Sequence, residues 1–168
     1  LSLGFFADPD QPVPWRGPMA SNAVKQLFND ADWGELEYLI VDLPPGTGDI
    51  HITISQSFPI AGAVIVTTPQ QVALADTKKG LMMFRMPGVT IPVLGVIENM
   101  SYFTPAELPE NKYYIFGKDG GKELAAKYDV PFLGEIPLVQ SIANAGDKGE
   151  PIAMDKNSPL SAAFAEIA

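Results

Sequence analysis

Four short apolar runs, separated by segments long enough to form helices, constrain the fold of this chain more than any other sequence feature. The runs cover residues 38–43, 62–67, 93–98 and 132–136. Parallel strands need a crossover of a dozen or more residues between them, and that crossover is usually a helix. The pattern therefore predicts an α/β fold with a mostly parallel sheet flanked by helices.

Helices are expected around these runs. Apolar residues at four-residue spacing predict a helix from Met19 to about Asp30, and further helices are predicted over residues 49–58, 70–86, 120–128 and 160–168. Residues 2–6 predict a short strand, followed by a proline-rich loop. Residues 38–43 and 62–67 are predicted to be buried strands, and the first of these to be covered on both faces. We interpret residues 1–168 as a single domain, because 168 residues are enough for one domain with a real core. The 46% of hydrophobic residues is a globular composition.

Composition excludes several classes of protein. The chain carries 20 acidic and 11 basic residues, a net charge of −9, which argues against general nucleic-acid binding because that needs a basic face. No apolar run approaches the roughly 18 residues of a membrane span. Cysteine is absent, which excludes disulfides and thiolate metal sites within this chain and fits a cytoplasmic protein. We therefore predict a cytoplasmic location without nucleic-acid or membrane partners.

The segment DLPPGTGD, residues 42–49, carries the first candidate site. Asp42 ends a predicted strand, and α/β sheets bind ligands beyond the carboxyl ends of their strands. A carboxylate there can hold Mg²⁺ through water, and Gly46 can bring a backbone N–H close to a phosphate oxygen. The alternative is an ordinary strand-to-helix turn in which Asp49 is the helix N-cap.

Five longer segments carry a family resemblance. They are WRGPM (15–19), DLPPGTGD (42–49), GAVIVTTPQ (62–70), GVIENMSYF (95–103) and FLGEIPL (132–138). Together they closely resemble the Mrp/ApbC family of P-loop ATPases, relatives of MinD and ParA that act as carriers in iron–sulfur cluster assembly. The resemblance runs from about residue 3 to residue 151. It implies a P-loop NTPase-type fold, ATP and Mg²⁺ as cofactors, ATP hydrolysis, a homodimer and iron–sulfur client proteins.

The resemblance also implies roles for single residues. Asp42 matches the Walker B acid near Mg²⁺ and Gly46 matches the γ-phosphate sensor. Asn99 matches the residue that reads the adenine edge, and Pro137 and Leu138 match the segment beside the base. Purely structural alternatives remain open: Asn99 can cap its strand end through side chain-to-backbone bonds, and Pro137 can simply end a strand.

Residues 15–17 resemble the family's region near the phosphates and the dimer interface, without an assigned role. Two departures from the family accompany these matches. No G-x-x-x-x-G-K-[ST] match occurs in the 168 residues, so we expect the phosphate-cradling loop before Leu1 and interpret the chain as N-terminally truncated.

The second departure concerns the [4Fe–4S] cluster that the resemblance implies. Family members usually carry a Cys-x-x-Cys pair just after NMSYF, whereas residues 104–114 read TPAELPENKYY. Thiolates are the usual cluster ligands, and Glu107 and Glu110 are poor replacements. No iron–sulfur ligands are identified in this chain. Four aromatic residues flank the long loop 102–118 and are interpreted as packing anchors in preference to a partner surface: Tyr102, Phe103, Tyr113 and Tyr114.

The predicted function is that of an ATP-binding and ATP-hydrolysing Mrp/ApbC-type protein with a role in iron–sulfur cluster assembly or transfer. One alternative is a nucleotide-gated scaffold that docks clients without binding a cluster. Another is a MinD-like positioning ATPase. Against the latter, the C-terminal LSAAFAEIA has no Lys or Arg for a basic membrane-surface helix.

Overall fold

The computed structural model describes residues 1–5 and 17–168. Trp15, Arg16 and most of the predicted proline-rich loop lie outside the described residues. The chain divides into two compact units by its internal contacts. The first unit comprises residues 1–60 and 87–89, and the second comprises residues 61–86 and 90–168.

The first unit contains a short 3-10 helix and two α-helices. The 3-10 helix spans Leu3–Phe5, α1 spans Gly17–Asn29 and α2 spans Asp49–Ser57. The strand predicted over residues 2–6 is therefore wrong. The Phe5 amide donates to the Ser2 carbonyl at 3.1 Å, so the local chain closes a turn where a strand would need a partner. The helices predicted over residues 19–30 and 49–58 are confirmed within two residues.

Aromatic stacking joins the two helices of the first unit. The rings of Phe28 and Phe58 stack with centroids 4.2 Å apart and planes 21° apart. The indole N–H of Trp33 donates to the Phe28 carbonyl at 2.9 Å, which closes the end of α1. Ile54 and His51 are buried on α2. Phe28 and Phe58 lie at the carboxyl ends of α1 and α2, so this stacking joins the two helices at those ends.

The strand predicted over residues 38–43 is also wrong. This segment is irregular, and Tyr38 and Ile40 are 84% and 92% exposed. An apolar run becomes a strand only when a neighbouring strand accepts its backbone hydrogen bonds. Within the described residues it pairs with no strand. The apolar pattern alone therefore did not suffice to form the element.

A three-stranded parallel sheet lies at the centre of the second unit. Its strands are β1 (Ala63–Thr67), β2 (Val93–Asn99) and β3 (Phe132–Ile136), in the order β1-β2-β3. Both neighbouring pairs are parallel. The three predicted strands and their parallel pairing are confirmed, so the carboxyl ends of β2 and β3 lie at the same edge.

The second unit also contains four α-helices. They are α3 (Gln71–Phe84), α4 (Gly120–Lys127), α5 (Gln140–Asp147) and α6 (Pro159–Ile167), with a short 3-10 helix at Ile152–Met154. Helix α3 packs on β1, α4 packs on β2 and β3, and α6 packs on β3. The predicted helices α3, α4 and α6 are confirmed, and α5 was not predicted.

The face of β1 toward α3 is buried and its other face is not. Ile65 and Thr67 are buried, and the Thr77 hydroxyl of α3 lies 2.8 Å from the Thr67 hydroxyl. Val64 and Val66 point the other way and are 46% and 59% exposed. The strand predicted over residues 62–67 is confirmed, but the burial predicted for it holds for one face only, because only one helix layer covers this strand within the part of the chain that the structure describes.

Candidate functional site

The turn after Asp42 is an open, glycine-containing segment of the first unit. Asp42 is exposed and precedes the bends at residues 45–48. It does not end a strand, so the strand-end position predicted for it is wrong. Gly46 has a φ of +100°, and nothing lies within 4 Å of where its Cβ would be. Glycine adopts this backbone region without steric cost, and it has no side chain of its own to block a ligand that approaches the backbone.

The start of α2 differs from the predicted capping arrangement. Gly48 is the N-cap residue and Asp49 is the first helical residue, so Asp49 is not the N-cap. A Cβ on Gly17, the first residue of α1, would lie 2.6 Å from Asp49 Oδ2. The Asp49 carboxylate therefore lies at the start of both helices, where negative charge is favourable. The sequence indicated neither this contact nor the close packing that Gly17 permits.

The carboxyl ends of β2 and β3 continue to hydrogen-bond beyond the strands. Asn99 is paired in register with Ile136, and the Ser101 amide donates to the Ile136 carbonyl at 3.0 Å. The Leu138 amide then donates to the Tyr102 carbonyl at 2.8 Å. These bonds bring together Asn99 and the segment containing Pro137 and Leu138, as a shared role beside one ligand requires.

The side chain of Asn99 makes the local side chain-to-backbone bond that was the structural alternative to a role in binding adenine. Its Oδ1 accepts a hydrogen bond from the Met100 amide at 2.9 Å. Met100 has a φ of +54°, a left-handed conformation that is uncommon for a residue with a side chain. An amide oxygen has a second lone pair, and the NH₂ group supplies two donors. The local bond therefore orients Asn99 without exhausting its hydrogen-bonding capacity.

Glu98 is a buried carboxylate that the sequence analysis missed. It is 1% exposed, and its Oε2 accepts a hydrogen bond from the Gly121 amide of α4 at 2.5 Å. Burial raises the pKa of the Glu98 carboxyl, and the bond from Gly121 acts in the opposite direction. Three other carboxylates add to the rise in pKa: Glu135, Asp119 and Glu123. An acid at the end of an otherwise apolar run was the signal that could have revealed it.

The site residues predicted from the sequence therefore form two groups. Asn99, Pro137 and Leu138 lie side by side at the end of β2 and β3. Asp42 and Gly46 lie in one exposed turn of the first unit.

The described residues contain no preformed metal cage. In residues 1–5 and 17–168, no group of three or more His, Cys, Asp or Glu side chains could hold a metal ion. Mg²⁺ commonly takes only one or two carboxylates and fills its other positions with water and substrate phosphates. The exposed carboxylate of Asp42 fits that kind of site, in which the metal arrives with a nucleotide.

The long loop between β2 and α4 is ordered by a small antiparallel bridge. The amide of each of Phe103 and Tyr113 donates to the carbonyl of the other, at 2.9 and 2.8 Å. The Lys112 ammonium lies 3.8 Å from the centroid of the Tyr102 ring. Phe103, Tyr113 and Tyr114 are exposed, so the interpretation of these three aromatic residues as packing anchors is wrong.

Across the ranges 1–5 and 17–168, no helix is both long and apolar enough to cross a bilayer.

Known proteins resemble this chain over most of its length. A family model described as ParA, NUBPL iron-transfer P-loop NTPase matches residues 1–168. An iron–sulfur cluster carrier protein of Synechocystis is 51% identical over 162 residues, covering 96% of this chain and 45% of that protein. The iron–sulfur cluster transfer protein NUBPL of Mus musculus is 47% identical over 152 residues, covering 90% and 47%. The chain thus spans about half the length of these curated relatives.

Solved structures agree with the fold. A nucleotide-binding protein from Archaeoglobus fulgidus, solved in complex with ADP, superposes with a TM-score of 0.70 at 35% identity, covering 86% of this chain and 57% of that one. The cell division ATPase MinD of Pyrococcus furiosus superposes with a TM-score of 0.60 at 20% identity, covering 90% and 56%. The likeness to MinD supports the α/β fold alone.

The family match covers the whole chain, and the three described strands pair in parallel, as the sequence predicted. The chain therefore belongs to the ParA-type family of NUBPL iron-transfer P-loop NTPases.

Proposed function

We propose that the natural polypeptide that carries this sequence binds and hydrolyses ATP as an iron–sulfur cluster carrier. The observation that carries the proposal is the open turn holding Asp42 and Gly46, in a chain that belongs to a P-loop NTPase family. The nucleotide-binding relative from Archaeoglobus fulgidus, solved with ADP, supports the choice of an adenine nucleotide. Because the chain spans about half of its curated relatives, the activity is assigned to the natural polypeptide that carries this sequence.

The roles proposed for Asp42 and Gly46 are those that the family resemblance implies, and the open geometry of the turn is compatible with them. Gly46 presents its backbone N–H without a Cβ in the way, so that the N–H can donate to a γ-phosphate oxygen. The exposed Asp42 carboxylate would hold Mg²⁺ through water molecules. Bound Mg²⁺ would neutralise charge on the phosphates. Catalysis of phosphoryl transfer rests mainly on such positioning and charge stabilisation.

The proposed adenine contacts use the second group. Asparagine can pair with adenine in a bidentate manner, donating to N7 and accepting from the N6 amino group. Guanine has a carbonyl oxygen where adenine has its amino group, so the same Asn99 geometry would disfavour guanine. Pro137 and Leu138, held beside Asn99 by the bonds beyond the strands, would supply an apolar wall for the base.

Assembly, cargo and location complete the proposal. We place residues 1–168 in a single, partial P-loop NTPase domain of a homodimeric, cytoplasmic protein that passes clusters to iron–sulfur client proteins. The cluster is cargo, and its thiolates would come from outside these 168 residues because they contain no cysteine. Chromatographic mass and cell fractionation of the natural polypeptide test the dimer and the location.

The variant Asp42→Asn tests the proposed activity. It keeps the size of the side chain but removes the charge that organises Mg²⁺ and its waters, so ATP turnover should fall by orders of magnitude. Steady-state phosphate release at saturating Mg²⁺ measures it, and Glu37→Gln is the matched control because Glu37 is also exposed in the same unit. Parental turnover in Asp42→Asn would show that Asp42 is only a turn residue.

A nucleotide-gated scaffold is the second candidate function. The absence of cysteine and the exposed aromatic residues Phe103, Tyr113 and Tyr114 favour docking of a client without a cluster. The two candidates differ in turnover: a scaffold binds ATP but hydrolyses it slowly or not at all. A MinD-like positioning ATPase is tested separately, by co-sedimentation of the natural polypeptide with lipid vesicles.

A further inference from the structure

We propose that Glu98 is a positioning residue for base recognition: its buried side chain fixes the start of α4 against the end of β2 and thereby holds Asn99 in its base-reading orientation. The inference rests on the proposed function, in which Asn99 reads adenine. It adds a residue that does not itself touch the nucleotide but acts through a neighbour that does.

The first support is that α4 depends on Glu98 for its capping. The first four N–H groups of a helix have no partner within the helix. The N-cap residue of α4, Asp119, is left-handed, with a φ of +59°, and its side chain makes no capping bond. The Gly121 amide instead donates to Glu98, which lies 23 positions earlier in the sequence. The bond therefore joins the start of α4 directly to the end of β2.

The second support is the close approach of the two elements. A Cβ on Gly121 would lie 3.1 Å from both Cβ and Oε2 of Glu98. A Cβ on Gly120 would lie 2.9 Å from the Pro69 carbonyl oxygen. Consecutive glycines thus let the backbone of α4 reach a carboxylate on the strand. The same approach makes the contact sensitive to the length of the side chain at position 98.

The third support is the neighbouring geometry of Asn99. Successive side chains of a strand point to opposite faces, so Glu98 anchors the strand toward α4 while Asn99 is presented on the other side. The Asn99 side chain is turned back onto the Met100 amide, at 2.9 Å, and Met100 is left-handed. An uncommon backbone conformation persists only when its surroundings hold it. The Glu98 contact, two positions before Met100, supplies such support.

The charges around Glu98 indicate that its positioning role depends on the length of its side chain and not on its negative charge. The acidic groups that raise its pKa are Glu135 on β3 and Asp119 and Glu123 at the start of α4. Burial is the largest cause that disfavours the ionised carboxyl, and these like charges add to the effect. A neutral side chain of the same length can accept the Gly121 bond equally well. A shorter carboxylate cannot.

Three substitutions in the natural polypeptide test the inference: Glu98→Gln, Glu98→Asp and Asn99→Ala. Steady-state kinetics with ATP and with GTP give the ATP preference, which is kcat/KM for ATP divided by kcat/KM for GTP. Glu98→Gln should keep this ratio within about twofold. Glu98→Asp should lower it about tenfold through KM with kcat nearly unchanged, since a bidentate base contact is worth roughly 1–3 kcal/mol of discrimination. Asn99→Ala should lower it at least as much.

The outcomes separate this inference from the proposed function. If Asn99→Ala loses the ATP preference while a folded Glu98→Asp keeps it, Glu98 is merely structural and the inference is overturned. If Asn99→Ala also keeps the ATP preference, the proposed recognition of adenine by Asn99 is wrong. The inference about Glu98 is then wrong as well, because it depends on that recognition. Should Glu98→Asp not fold, Gly121→Ala replaces it, because its methyl would lie 3.1 Å from Glu98; an unchanged preference then overturns the inference.

Discussion

At the scale of single residues, burial of the Glu98 carboxyl costs hydration free energy, and its surroundings only partly offset that cost. A carboxylate that is buried loses hydration, and one short hydrogen bond from Gly121 returns part of that loss. Burial therefore raises the pKa of Glu98 above its ordinary value of 4.5. The native state thus holds the proton more tightly than the unfolded state does, and this difference couples stability to pH.

The sign of this coupling gives the first prediction. Between 4.5 and the raised pKa of Glu98, the native state binds more protons, so stability falls as pH rises through that window. The Glu98→Gln variant cannot ionise at this position, so its stability should not fall in this window. In the parent, the fall should amount to about 1.4 kcal/mol for each unit by which the pKa is raised. Urea unfolding of parent and variant over a pH series measures it. A constant difference between them across the acid range would contradict the prediction.

At the scale of elements, close packing of β2 against β3 depends on glycine. Gly95 is buried in β2, and a Cβ there would lie 2.5 Å from Leu133 Cγ on β3. Gly95→Ala should therefore destabilise the fold by about 1–3 kcal/mol, because neighbouring groups must move. The midpoint of urea unfolding measures the change.

The control for this packing prediction is Gly80→Ala on α3. Gly80 has open space where its Cβ would be, and it lies inside a helix. Alanine is preferred over glycine in a helix interior by about 1 kcal/mol, so Gly80→Ala should stabilise the protein. If both variants shifted stability in the same direction, the argument from local packing would be wrong.

At the scale of the whole molecule, nucleotide affinity should depend on a segment that these residues do not contain. No G-x-x-x-x-G-K-[ST] match occurs in the 168 residues, so the backbone N–H groups and Lys of a phosphate-cradling loop are not among them. A polypeptide of residues 1–168 alone should bind Mg-ATP negligibly. Titration calorimetry measures this, and micromolar affinity would overturn the prediction.

The iron–sulfur cargo gives a prediction of its own at this scale. Clusters need closely spaced thiolates, and this chain contains no cysteine. Two copies would double the donor set without adding a thiolate. Anaerobic incubation of residues 1–168 with iron and sulfide, followed by desalting, should leave the protein colourless. A stable brown product with about four irons per dimer, the content of one [4Fe–4S] cluster, would refute this.

The sequence by itself determined the elements whose signals are local. Periodicity and turn residues located β1, β2, β3 and most of the helices, since these patterns reflect the geometry of each element alone. The motif around Asn99 and the segment at Pro137 and Leu138 were also correctly placed at neighbouring strand ends, because parallel strands bring their carboxyl ends together. The absence of thiolates likewise follows from the sequence alone.

The tertiary structure decided what depends on partners far along the chain. Residues 38–43 have the pattern of a strand but no pairing strand in the described chain, and Val66 has the pattern of a core residue but is exposed. The contact between Glu98 and Gly121 spans 23 positions, so no local pattern could reveal it. Backbone pairing needs a neighbouring strand, burial needs a covering element, and the capping of α4 needs a side chain that is distant in sequence. Only the folded chain shows which of these partners is present.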